Sequence, residues 1–156
     1  MIIREDLITD DLAFPVPTML KWKTQVDANS LYNTPNTYSI YICGKVFKWI
    51  KKLGGLEVMK KRNEEKAKIL YDYLDQTDFY LAPVEKDSRS IMNVTFKTKS
   101  EELDKKFVEE AKANNIVNIK GHRSVGGMRA SIYNAMPKEG VEALVEFMKK
   151  FEKENK

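Results

Sequence analysis

The residues best equipped for chemistry lie between Lys120 and Ala135, in KGHRSVGGMRASIYNA. This stretch holds the single histidine, His122, with Arg123 beside it and Arg129 a few residues on. Gly126 and Gly127 sit between the arginines, and a β-prone run from Ala130 to Tyr133 follows. Glycine reaches backbone shapes that residues with a Cβ resist, so the pair bends the chain and lets both arginines aim at one place. A guanidinium is a planar fork of donors that matches a carboxylate or a phosphate. Two forks and an imidazole suit a small ligand with two or three negative charges. The competing reading is a solvated loop whose cations meet only water. Polar groups and glycines packed into a loop, next to an abrupt return to apolar residues, favour the site.

A second candidate is Asn33-Thr34-Pro35-Asn36-Thr37, just before a helical pattern. Thr34 or Asn36 can cap that helix. The same place can bind an anion, because a helix N-terminus offers free N–H groups and the favourable end of the dipole. Both readings stay open on the residues alone. Lys120 adjoins His122 and reads either as a nucleophilic amine or as a solvated strand end. One cysteine and one histidine make no metal-ligand set. Cys43, among Tyr41, Ile42 and Val46, is expected to be a small buried apolar residue in a reducing compartment.

The elements that must position these groups follow from periodicity. Ile2 and Ile3 read as the tail of a strand at residues 1–4, and Pro15 and Pro17 then forbid regular helix. Residues 19–32 hold no period; Trp22, Val26 and Leu31 are their packing candidates. A long irregular stretch of this kind serves function or leans on another domain. A helix is expected from about Thr37 to Leu53, with Ile42, Val46, Trp49 and Ile50 on one side and Gly54-Gly55 as its stop. A second spans Leu56 to about Asp75, with Leu56, Met59, Asn63, Ala67, Leu70 and Leu74 facing a core and Lys, Arg and Glu on the other face. Strands are expected at 78–84, 90–98, 116–119 and 129–133. Ser100 reads as the N-cap of a helix carrying Leu103, Phe107 and Ala111, which Asn114-Asn115 stops. Pro137 opens the last helix, whose stripe is Val141, Leu144, Val145, Met148 and Phe151. Locally paired strands with helices on one face make an α+β two-layer sandwich.

With 42% hydrophobic and 32% charged residues over 156 positions, the composition is that of a chain able to bury a core. The net charge of +4 comes from bases interspersed with acids at helical spacing, which reads as solvated helix faces and not as a nucleic-acid surface. No apolar run is long enough to cross a bilayer. The start, MIIREDLITDD, has no leader pattern, and a cytoplasmic location is expected.

Five stretches in order then carry a resemblance: SLYNTPNTYSIY, KWIKKLGGLEVM, the N-x-x-K-A-x-x-L-Y segment from Asn63 to Tyr71, RSIMNVTF and GHRSVGGMRASIYNAM. Together they resemble the phosphoserine aminotransferase family, with similarity running from Met1 to the last helix. The resemblance implies the small carboxy-terminal domain of a fold-type I enzyme that uses pyridoxal 5'-phosphate. The implied activity is amino transfer between L-glutamate and 3-phosphohydroxypyruvate, giving O-phospho-L-serine. It further implies that Asn33 and Thr34 reach the cofactor phosphate of the neighbouring subunit in a homodimer. Arg129 would hold the substrate α-carboxylate, and His122 and Arg123 would lie near the distal phosphate or carboxylate. It argues against Lys120 as the Schiff-base lysine, since the family places that lysine in a Gln-Lys-Asn motif before the segment matching residues 1–4. Asn36 departs from the family's usual second proline.

The expected organisation is residues 1–36 as a remnant of the large cofactor-binding domain with its connecting segment, and residues 37–156 as the small domain. The expected partners are the amino-terminal large domain, a second subunit, glutamate and a phosphorylated three-carbon substrate, with no nucleic acid and no membrane. No residue of this chain is expected to be catalytic, no metal is expected, and the cofactor is expected only in the intact enzyme. The alternatives are a non-catalytic interaction module, a split-enzyme half, and a small-anion binding domain built on Arg123 and Arg129 alone.

Overall fold

The computed structural model describes residues 2–156. The chain forms two compact units, residues 1–48 and residues 49–156. This packing boundary falls inside a helix, later than the 36/37 boundary drawn from the resemblance.

In the first unit, Ile2–Arg4 is not a strand, and single 3-10 turns occupy Glu5–Leu7 and Thr18–Leu20. Helix α1, Trp22–Asp27, follows within the stretch expected to be irregular. Helix α2, Thr37–Lys52, starts where expected and carries on into the second unit. Asn36 Oδ1 accepts the Ser39 N–H at 3.1 Å, so the residue that departs from the family pattern is the helix cap. No residue of α1 or α2 is buried. Trp22, Val26, Leu31, Ile42, Val46 and Trp49, all expected to pack, are exposed, and so is Cys43. Among the described residues nothing buries their apolar side chains, so periodicity predicted a face but not its cover.

The second unit contains helix α3, Gly55–Leu74, strand β1, Asn93–Phe96, helix α4, Glu101–Ala113, strand β2, Met128–Ser131, and helix α5, Lys138–Asn155. Left-handed Gly54, at φ 109°, separates α2 from α3. Leu56 lies in the first turn of α3, ahead of Met59 where burial begins, and is 75% exposed instead of core-facing. Ser100 caps α4 by accepting the Leu103 N–H at 3.3 Å, as expected. Every predicted stripe residue of α5 is buried, with Phe147 added.

Strands β1 and β2 pair antiparallel, Asn93 with Ser131 through Phe96 with Met128. The expected strand at 78–84 reduces to a single bridge, Leu81 with Lys97, and none of residues 116–119 is a strand, the next bridge being Lys120 with Met128. Pro83 has no N–H to extend the first. Asn118, at φ 59°, turns the second out of extended geometry. Val94, Phe96, Met128 and Ala130 point into one core shared with α3, α4 and α5. Its centre is Phe107, fully buried, with ring centroids of Phe147 at 5.0 Å, Phe151 at 5.1 Å and Phe96 at 5.7 Å in edge-on contact. The expected α+β class holds, with helices over one sheet face. No helix among the described residues is long and apolar enough to cross a membrane.

Candidate functional site

Strand alternation sorts β1 and β2 into two faces. The core side chains leave Asn93, Thr95, Arg129 and Ser131 on the opposite face, half-buried. Arg129 sits across from Thr95, and its backbone N–H donates to the Ile119 carbonyl at 2.7 Å. Its Nε is buried and has no hydrogen-bond partner among the described residues. Among the described residues neither Arg123 nor Arg129 belongs to an ion pair. A desolvated guanidinium donor with no protein acceptor is suited to an anionic ligand.

The loop before β2 is a closed turn. The Gly121 N–H donates to the Gly127 carbonyl at 2.8 Å, and the Val125 and Gly126 N–H groups both donate to the His122 carbonyl at 2.9 Å. Glycine is required here. A Cβ on Gly121 would collide with the Gly126 carbonyl. One on Gly127, at φ 62°, would meet the Phe96 carbonyl at 2.7 Å. His122 and Arg123 are exposed on this loop, and Arg129 lies just past its base. The bend thus places all three on one hairpin. His122 Nδ1 lies 2.7 Å from Ser124 Oγ and accepts the Ser124 N–H at 3.3 Å. Lys120, at the bridge that closes the loop, is exposed.

Asn33 and Thr34 belong to the first unit and are exposed. The Asn33 amide donates only to the Met19 thioether, at 3.4 Å, a weak acceptor. The Thr37 N–H is taken by the Pro35 carbonyl at 2.8 Å, and Asn36 takes the Ser39 N–H. The capping role therefore falls to Asn36, which leaves the side chains of Asn33 and Thr34 to other partners.

Two residues of the second unit acquire roles that periodicity assigned to solvent or core. Lys66 is only 3% exposed, on a helix whose basic residues read as a solvated face. Its Nζ donates to the carbonyls of Ile132 at 3.2 Å, Tyr133 at 2.7 Å and Met136 at 3.0 Å. Burial pushes this ammonium below the usual lysine range. Asn63 Nδ2 donates to Asn134 Oδ1 at 2.8 Å. Their signal was visible as N-x-x-K at spacing that puts both on one helix face. A cleft of about 410 Å3 lies nearby, lined in part by Trp49, Leu53, Arg62, Lys66, Asn134 and Lys138. Its lining includes none of Asn33, Thr34, His122, Arg123 and Arg129, and Glu65 and Glu139 offset its bases. The hairpin, with its unpaired cations, is the better candidate for an anion site.

Comparison with known proteins finds relatives of this chain. The aminotransferase class-V family matches residues 15–144. The chain is 56% identical to phosphoserine aminotransferase of Streptococcus agalactiae serotype III, over 99% of this chain and 42% of that protein. It is 55% identical to phosphoserine aminotransferase of Listeria monocytogenes serovar 1/2a, over 97% of this chain and 41% of that protein. Among solved structures, phosphoserine aminotransferase from Bacillus circulans subsp. alkalophilus superposes with a TM-score of 0.85 at 51% identity, covering 90% of this chain and 39% of that one. A pyridoxal-phosphate-bound phosphoserine aminotransferase from Trichomonas vaginalis gives 0.78 at 41% identity, over 86% and 39%. The chain thus spans about two fifths of the length of the relatives it matches.

Proposed function

We propose, from the premise that this chain belongs to the aminotransferase class-V family, that it supplies the substrate-anion half of a phosphoserine aminotransferase active centre. In this reading the whole enzyme transfers an amino group between L-glutamate and 3-phosphohydroxypyruvate to give O-phospho-L-serine, in serine biosynthesis. The observation that carries the reading is Arg129, whose Nε is desolvated and without a protein acceptor. Its guanidinium grips the substrate α-carboxylate, and His122 and Arg123 on the adjoining loop attract the distal phosphate or carboxylate. Both substrates carry an anion at each end, so one set of cations serves both. His122 offers a ring N–H to that distal group.

Pyridoxal phosphate supplies the electron sink when it is bound in the whole enzyme. Asn33 and Thr34 are the residues of this chain that would hold its phosphate, from the neighbouring subunit of a homodimer; the weakly engaged Asn33 amide fits that task. The residues here bind and orient, and none moves a proton. The sequence contains no Gln-Lys-Asn motif, so the isolated chain with pyridoxal phosphate and glutamate should show no amino transfer. Transfer at enzyme-like rates would end that reading.

The exposed apolar side chains of residues 2–48 support association with the amino-terminal large domain of a cytoplasmic enzyme. They equally favour a second reading, a split-enzyme half or a non-catalytic module. Mixing the chain with a separately produced amino-terminal portion separates these: recovered cofactor absorbance supports the enzyme half, and a stable monomer without it supports the module. The anion site itself is tested by titrating the chain with O-phospho-L-serine while following the Arg129 Nε–H and His122 ring resonances. Saturable millimolar shifts at both are expected. Flat resonances would refute the site.

A further inference from the structure

We infer that Lys66, assisted by Asn63, is a positioning residue for the Arg129 site: its ammonium gathers the carbonyls of the turn leaving β2 and thereby holds the strand that presents Arg129. This rests on the reading above for what Arg129 binds, but the clamp itself stands on geometry. An ammonium has three donors and no acceptor. All three donors of Lys66 are used, on Ile132, Tyr133 and Met136. Three carbonyl dipoles turned toward one point repel one another unless a cation sits there. No carboxylate pairs with Lys66 among the described residues, so the turn itself is what stabilises the buried charge. One helical turn earlier, Asn63 takes hold of Asn134 in the same turn.

The turn connects directly to the site. The Ile132 N–H donates to the Met92 carbonyl at 2.9 Å, and the Tyr133 hydroxyl donates to Asn93 Oδ1 at 2.9 Å, so the far end of β2 is tied to the start of β1. At the near end, the glycine-closed loop and the Lys120 bridge fix Met128. Arg129 lies between these two anchors. Loss of the clamp takes a donor from each of the three carbonyls, of which Tyr133 keeps the Met136 N–H at 2.9 Å, and the strand shifts or frays from that end. Commitment of Nζ to three carbonyls also removes Lys66 from any role as a free amine.

The test is Lys66→Met in the full chain, read by amide hydrogen exchange and by O-phospho-L-serine titration at Arg129. Protection of the Arg129, Ile132 and Met136 amides should fall about tenfold or more relative to those of α4, the scale of one hydrogen bond to a charged group. The titration should weaken by a similar factor. Unchanged exchange, or a uniform loss across α4 and β2, would overturn the inference, the second because it reports stability alone. If Lys66→Met does not fold, the unaltered chain decides: the Lys66 ammonium should give its own slowly exchanging 1H–15N signal at neutral pH, and its absence would overturn the clamp. An unaltered chain in which Arg129 ignores phosphoserine would retire the substrate reading, while the exchange pattern still judges Lys66.

Discussion

Residues 2–48 bury no side chain among those described, whereas residues 49–156 close a core around a fully buried Phe107. Composition does not explain the contrast. The first region carries Trp22, Tyr32, Tyr38, Ile40, Tyr41 and Phe47, all exposed. The second carries comparable residues on α3, α4 and α5 and covers them with one another and with the sheet. An amphipathic stripe states what a helix can bury; only a facing layer decides whether it does. Within residues 2–48, a six-residue α1 and two single turns provide no such layer.

The largest expected effect breaks the core. Phe107→Ala should destabilise the chain by about 3–5 kcal/mol, the usual cost of emptying a buried phenylalanine site, as measured by chemical denaturation followed by circular dichroism. Phe47→Ala, at a position 64% exposed, should change the same midpoint by less than about 0.5 kcal/mol. Equal effects from the two would erase the distinction between the regions.

Helix caps sharpen the comparison at smaller scale. Ser100→Ala removes the acceptor for the Leu103 N–H in the core region and should cost about 1 kcal/mol of global stability. Asn36→Ala removes the equivalent acceptor for Ser39. It should loosen amide protection in the first turn of α2 and leave the main unfolding transition in place. A shift of that transition as large as the one from Ser100→Ala would contradict this.

The smallest effect is electrostatic. Hydrogen bonds from Arg89, at 3.0 and 2.7 Å, with help from Lys86, hold the Asp75 carboxyl at about 2, below its ordinary 3.8. Between those values the unfolded chain binds more protons than the folded one, so stability rises with pH across the window and is lost as pH falls through it. Asp75→Asn should flatten that acid limb. Near neutrality it should cost less than about 1 kcal/mol, because the pair is partly exposed. An unaltered acid limb in the variant would show that Asp75 is not its source.

Local chemistry was legible wherever it was self-contained. Ser100, Gly54, the α5 stripe and the β1 alternation each depend on neighbours a few residues away, and each appears as read. The glycine-closed turn that carries His122 and Arg123 was legible for the same reason, since it lies within one short loop. Cys43, Ile42 and Leu56 misled because burial needs a second surface that no local pattern contains. The strand at 78–84 shrank to a bridge and that at 116–119 did not form, because a proline and a left-handed asparagine outweighed β propensity. The pairing of Lys66 with Asn63 on one helix face was visible, but what Lys66 binds was hidden. Its partners are backbone carbonyls more than sixty residues away, and a carbonyl has no letter in a sequence.

The claim at the centre is that Arg129 completes a substrate site whose remaining parts lie on another polypeptide segment. The most direct measurement is reconstitution: combine this chain with the amino-terminal portion of a relative, add pyridoxal phosphate, glutamate and 3-phosphohydroxypyruvate, and measure O-phospho-L-serine formed. The unaltered chain should restore turnover. Arg129→Ala should assemble equally well yet lose at least about a hundredfold in kcat/KM, the scale of a lost charged hydrogen-bond pair. An assembled but inactive unaltered complex, or an Arg129→Ala complex with full turnover, would contradict it.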